Sequence, residues 1–246
     1  MKKKHRIPKV IHFCWFGGNE KPEIIKKCLK SWNENLSDYE FKEWNEENFD
    51  MNSNPFVQQA YEAKKFAFVS DFVRVYALYH YGGIYLDTDV EVFKSFDDLL
   101  HHDSFWGFEQ ENFIATSTIG AAKGNQLIKI FLDAYRDKNF KNNDGTFDEL
   151  TNVAIVSRIL EERSLKLNGE YQEIENLGVF YPQTYFSPFD YINYRRFVTE
   201  NTYAIHHFHK SWLSPTSRMK SNIKKVAANV IGGKNIAKIR KIISQV

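Results

Sequence analysis

GGIYLDTDVEVFKSF, residues 82–96, decides how the rest of the chain is read. Paired glycines close whatever precedes them, and an apolar, aromatic run of strand type follows from Ile84 to Val92. Within that run stand Asp87 and Asp89. A carboxylate among apolar neighbours is costly unless a cation or hydrogen bonds meet it. On a strand, residues i and i+2 share a face, so the two acids are expected to project together. They fall near the carboxyl end of the strand, where ligand sites of open α/β sheets gather. Two convergent carboxylates make a hard-oxygen site suited to Mg²⁺ or Mn²⁺. Such an ion can bridge a diphosphate and take up its charge as it leaves. A lone D-x-D also arises by chance as two exposed acids, so the surroundings must carry the argument.

Upstream, AFVSDFVRVYALYHYGG (67–83) belongs to a helix predicted from Lys65 to Tyr81, with Gly82-Gly83 as its stop. Asp71 and Arg74 lie at i and i+3 on one face of it. As an isolated surface pair they would mean little. Joined through a glycine turn to the carboxylate strand, they can approach the same pocket.

The chain opens with KVIHFCWF (9–16), a buried first strand, and Gly17-Gly18-Asn19 turns it. Pro22 opens a helix to about Asn33, and Tyr39 to Trp44 forms a second strand. Strand, helix, strand in that order predicts a parallel crossover, the opening of a nucleotide-binding α/β sheet. Trp15, at the carboxyl end of the first strand, is placed to stack on a base; the plainer reading is a core tryptophan. Further helices are expected at 56–63, 125–136 and 151–163, strands at 104–109 and 115–121, and strand-and-loop over 174–205.

At 246 residues and 43% hydrophobic content, one large α/β domain is expected. The two cysteines, Cys14 and Cys28, allow no disulfide framework or metal spacing, and the apolar run at 10–16 is too short for a signal peptide or span. A cytoplasmic protein is the expectation. The net charge of +2 conceals an asymmetry, because residues 201–246 hold nine Lys and Arg but no Asp or Glu. An acidic body with a basic tail points the tail, not the body, at an anionic surface.

The stretch AFVSDFVRVYALYHYGGIYLDTDVEV (67–92) resembles the sugar-transferase region of glycosyltransferase family 32, which includes yeast mannosyltransferases and bacterial capsule-synthesis transferases. It is also similar to the glucosyltransferase domain of large clostridial toxins. IPKVIHFCWFGG (7–18) and IHHFHKSW (205–212) match the same groups. The resemblance implies a GT-A fold over residues 1–217, a Rossmann-like mixed sheet with helices on both faces. It further implies a nucleotide-sugar donor, UDP-hexose favoured, and Mn²⁺ or Mg²⁺. By similarity Asp87 contacts the donor's ribose or sugar side and the ion, Asp89 ligates the ion, and Asp71 and Arg74 hold sugar and phosphates. Trp15 would stack on the base. Among His206, His207 and His209, one histidine is expected as a third ligand. His206 and His207 face opposite ways on a strand, and His206 is favoured. Lys210, Ser211 and Trp212 would close over the diphosphate.

The activity implied is hexosyl transfer, with retention of configuration, to a glycan or polyprenyl-diphosphate-linked acceptor in capsule or surface polysaccharide synthesis. Nucleic acid is not an expected partner. Glu109 and Glu111 are candidates to orient an acceptor hydroxyl, or surface acids. The family often has a more Asn/Gly-rich stretch where Ile114 to Gly120 stands here. The tail 218–246 places Met219, Ile223, Val226 and Val230 on one helical stripe beside Lys220, Lys224 and Lys225. That pattern reads as a peripheral membrane-surface binder on the inner face of the cell membrane, or as a terminal helix with a solvated basic face. Two rival functions are a haloacid dehalogenase-like phosphohydrolase and a non-catalytic carbohydrate-binding protein. The first places its D-x-D on the first strand, whereas 86 residues precede it here; the second has no need of intact metal carboxylates.

Overall fold

A computed structural model describes residues 4–109, 113–191 and 195–209. Strand β1 (Val10–Cys14) alternates, with Ile11 and Phe13 in one core and Cys14 in the other. Pro22 begins helix α1 (Glu23–Asn35), its carbonyl accepting from Ile25 and Lys26. The helix returns the chain to β2 (Glu40–Trp44), parallel to β1 from Val10↔Glu40 to Cys14↔Trp44. This is the expected crossover. Asn54 caps α2 (Pro55–Glu62) by accepting from the Phe56 amide, and α3 (Phe66–Tyr81) follows. Strand β3 (Gly83–Leu86) then enters on the other side of β1, again parallel, with Ile11 opposite Ile84. The sheet therefore changes direction of growth between β1 and β3, the crevice where open α/β sheets bind ligands.

Next come β4 (Val90–Val92), β5 (Ser104–Glu109), β6 (Phe113–Ala121), α4 (Gln126–Asp133), α5 (Asn152–Glu161), β7 (Gln172–Ile174) and β8 (Gly178–Tyr181). The chain closes with β9 (Phe189–Asp190), β10 (Arg195–Arg196) and β11 (Ala204–His206). Seven strands form one mixed sheet in the order β2-β1-β3-β6-β5-β8-β7. β6 runs antiparallel to both β3 and β5, and β8 parallel to β5. On one face Trp32 of α1 and Leu36, which caps it, pack with Phe13, Ile84, Leu86 and Phe105. On the other, α2 to α5 supply Val57, Val73, Leu127 and Val156 against Tyr85 and Trp106. Helices cover both faces of a mixed sheet, as expected. Among the described residues no helix is long and apolar enough to cross a membrane. The tail 218–246 lies outside the described residues.

One strand was expected over Ile84–Val92; two are found. β3 stops at Leu86, the Val90 amide bonds back to the Asp87 carbonyl at 3.0 Å, and β4 leaves the main sheet to pair with β11. Asp87 and Asp89 thus occupy a turn rather than one strand face. The break has a cause in hydrogen bonding. Asp87 donates its amide to the Ser117 carbonyl at 2.9 Å, beside the last β3–β6 pair, Leu86↔Thr118. Helix α1 then captures β4. Its Ser31 hydroxyl accepts from the Val92 amide at 2.9 Å, Trp32 donates to the Val90 carbonyl at 2.7 Å, and Asn35 donates to the Val92 carbonyl at 3.1 Å. Before β3, Gly83 has φ +115°, and a Cβ there would stand 2.5 Å from the Val10 carbonyl oxygen. Only glycine lets β3 lie this close to β1.

Candidate metal and donor site

The site lies at the carboxyl ends of β1 and β3. Asp87 directly follows β3, on the parity of Tyr85, which faces α3. The Tyr85 hydroxyl donates to Asp87 Oδ1 at 3.0 Å. From α3, Arg74 reaches the same carboxylate, with Nη2 at 3.3 Å from Asp87 Oδ1 and 2.8 Å from Asp71 Oδ1. Its Nη1 donates to the Thr116 carbonyl at 2.7 Å, and its guanidinium lies 4.7 Å from the Tyr85 ring centre. At 5% exposure, with protein acceptors on both terminal nitrogens, Arg74 is a tie between helix and turn. Burial opposes its charge, but Asp87, Tyr85 and Asp71 hold its pKa above the ordinary value. Burial pushes the Asp71 carboxyl up to about 6, against the pull of Arg74.

Asp89 is reached from the other end of the chain. β11 pairs antiparallel with β4, setting His206 opposite Val90. His206 Nε2 then lies 3.3 Å from Asp89 Oδ1, and the His209 amide donates to Asp89 Oδ2 at 2.6 Å. Asp87, Asp89 and His206 each offer a ligating atom within 4.8 Å of the others. Among the described residues no other set of three acids, cysteines or histidines converges so. Burial works against charge on His206, but Asp89, with Asp87 and Glu109, raises its pKa to about 9. Burial likewise opposes charge on Asp89, yet His206 and the His209 amide bring its pKa below the usual value.

The donor set fits a divalent ion on two counts. Oxygen, oxygen and imidazole nitrogen suit Mn²⁺, and Nδ1 of His206 is buried with no hydrogen-bond partner among the described residues. The charge also fits. Among the described residues, Asp71, Asp87, Asp89 and Glu109 lie with Arg74 and His206, an excess of carboxylates that a dication offsets.

The structure brings together Asp71, Arg74, Asp87, Asp89 and His206. It does not bring His207 to them, because His207 Nε2 is spent on Glu91 at 2.8 Å. Trp15, half-buried, ends the same edge of the sheet; its indole donates to the Asn19 carbonyl at 2.7 Å and Lys21 sits 5.4 Å from its ring centre. Lys210, Ser211, Trp212 and Glu111 lie outside the described residues. Glu109, half-buried at the end of β5, has its pKa raised by burial and by Asp87, against the pull of His206 and Arg74. Tyr85 and Thr116 were not singled out from sequence. Tyr85 stands at i−2 from Asp87, a signal that could have found it; Thr116 emerges only from the β3–β6 register.

This geometry can be set beside known proteins. The chain is 34% identical over 126 residues to inositol phosphoceramide mannosyltransferase 3 of Schizosaccharomyces pombe, covering 50% of this chain and 35% of that protein. With inositol phosphoceramide mannosyltransferase 2 of the same yeast it shares 35% identity over 100 residues, 39% of this chain and 29% of that protein. It therefore spans about a third of the length of the curated relatives it matches. Among solved structures, the PaToxG glycosyltransferase aligns at TM-score 0.49 and 20% identity, over 64% of this chain and 69% of its own. Residues 22–106, which hold Asp71, Arg74, Asp87 and Asp89, match the family described as the glycosyltransferase sugar-binding region containing the DXD motif.

Proposed function

We infer that the chain moves a hexosyl group from a nucleotide diphosphate sugar to a hydroxyl of a glycan or lipid-linked glycan, with Asp87, Asp89 and His206 holding a divalent ion. The observation that carries this is the convergence of those three side chains at the β1–β3 switch point, two of them inside the matched sugar-binding region. When bound, the ion supplies positive charge toward the departing diphosphate. The protein's own part is preorganisation. Arg74 acts through Asp87 and Asp71, fixing both carboxylates so that neither reorients during the reaction. That differs from the sequence expectation that its guanidinium grips phosphate. Trp15 offers a ring to the base. Glu109 sits on the same buried edge, where an acceptor hydroxyl or the donor sugar would lie.

The reading includes a GT-A fold and retention of configuration. No described side chain is assigned as nucleophile; the leaving diphosphate oxygen takes the acceptor's proton on the face it departs from. Lys210, Ser211 and Trp212 complete the diphosphate enclosure. The basic tail holds the protein, from the cytoplasm, against an anionic membrane surface where a lipid-linked acceptor for capsule or surface polysaccharide would be presented. Flotation with anionic vesicles tests that attachment, and a protein that stays with the soluble fraction at low salt rejects it.

The relatives are named as mannosyltransferases, so a mannose donor, GDP-mannose, is tried beside the UDP-hexoses. Incubation with UDP-galactose, UDP-glucose and GDP-mannose in the presence of Mn²⁺ should release nucleoside diphosphate from one of them. Chelation should stop the release. Release that persists unchanged in chelator rejects the metal-dependent reading.

A further inference from the structure

Two adjacent histidines, His206 and His207, arrive beside the carboxylate turn, and of their two rings that of His206 meets the Asp89 carboxylate. Strand alternation sends them to opposite faces, so a slip of one residue would exchange them. Little in the strand itself forbids the slip. The β4–β11 ladder has three pairs, Ala204↔Val92, Ile205↔Glu91 and His206↔Val90. Ala204 and Ile205 are both buried, so the usual inward-outward contrast that fixes register is weak. Side chains supply what the ladder lacks. His207 Nε2 lies 2.8 Å from Glu91 Oε2, and the other carboxylate oxygen, Oε1, lies 2.9 Å from Lys27 Nζ on α1. Glu91 and His207 are largely buried, with side chains 16% and 11% exposed. A connected path thus runs from α1 through β4 to the segment that carries His206, while the His207 amide bonds the Asp89 carbonyl at 3.0 Å.

We propose that Glu91 is a positioning residue: held by Lys27, it fixes His207 outward and so sets the register in which His206 meets Asp87 and Asp89. The proposal rests on reading those three as a metal site, and it deepens that reading by naming what builds it. Outer partners that orient a ligand typically change metal affinity 10- to 100-fold when removed.

The test uses the full chain without donor. Binding of Mn²⁺ is followed by electron paramagnetic resonance of the free ion, for the unmodified protein, Glu91→Ala and Glu91→Gln. Amide hydrogen exchange over residues 204–209 is measured on the same three proteins without metal. Glu91→Ala should weaken Mn²⁺ binding at least tenfold and lose amide protection at 204–209. Glu91→Gln, which keeps an acceptor for His207, should stay within about threefold of the unmodified protein and keep the protection. Equal Mn²⁺ affinity in Glu91→Ala overturns the proposal, whether or not the strand loosens. Weakened binding with unchanged exchange also overturns it, because Glu91 would then act by charge alone. If the unmodified protein binds no Mn²⁺, the metal reading fails, and the exchange data still decide whether Glu91 sets the strand.

Discussion

Two histidines, one buried in the middle of β1 and one half-buried on β11, show how this fold separates support from chemistry. His12 is fully buried and has both ring nitrogens engaged. Nε2–H donates to the Gly82 carbonyl at 2.8 Å, and Nδ1 accepts from the Trp44 indole at 3.3 Å. That pattern requires the neutral ring, and burial, aided by Lys42, lowers its pKa to about 4 despite the Gly82 bond. His206 faces three carboxylates instead, keeps Nδ1 without a partner among the described residues, and has its pKa raised to about 9. The first histidine belongs to the framework that holds α3's end against β1. The second keeps a ring nitrogen to spare beside acids, which suits a binding role rather than a framework one.

The comparison can be broken most sharply at the carboxylates. Asp89→Ala should cut nucleoside diphosphate release about a thousandfold, the scale of several kcal/mol expected when a Lewis acid is lost. Undiminished turnover would place the chemistry elsewhere. Next in size is Arg74, which belongs to both regions, since it ties the helix over β1 to the Asp87–Asp89 turn. Arg74→Met strands Asp71 and Asp87 and should lower stability by about 3–5 kcal/mol in urea unfolding. A loss under about 1 kcal/mol would mean that those carboxylates are solvated and the tie is slack.

His12 gives the smallest effect and a definite sign. Its folded pKa lies below the unfolded value, so its contribution is complete above about pH 6.5 and is lost as pH falls toward about 4. Over that window the cost is roughly 3 kcal/mol, because the unfolded chain takes a proton that the buried ring refuses. His12→Gln removes the titration, so the decline in unfolding free energy between pH 6.5 and 4 should become shallower. An identical decline in both proteins would show that His12 charges freely in the fold.

Much of this framework was legible in the residues. KVIHFCWF, the Pro22 start and the second strand gave the parallel crossover, and Gly82-Gly83 gave the stop of α3 at Tyr81. The Asp71/Arg74 spacing correctly brought the helix to the acid pair. What escaped was the break after Leu86. Val90-Glu91-Val92 alternates equally well whether it continues in the main sheet or leaves it, and its partners lie far away in sequence, at Ser31 to Asn35 and at Ala204 to His206. Local pattern carries no information about which of two distant edges captures a strand. The same limit hid Arg74's burial and Glu109's place in the site, since both depend on β5 and β6 folding over α3's reach.

The most direct measurement is anomalous diffraction from a crystal soaked with Mn²⁺ and a nucleoside diphosphate. The account predicts a single strong peak enclosed by Asp87, Asp89 and His206, with diphosphate oxygens on its open side. Density for the nucleotide with no manganese at that turn, or manganese held by other side chains, would contradict it.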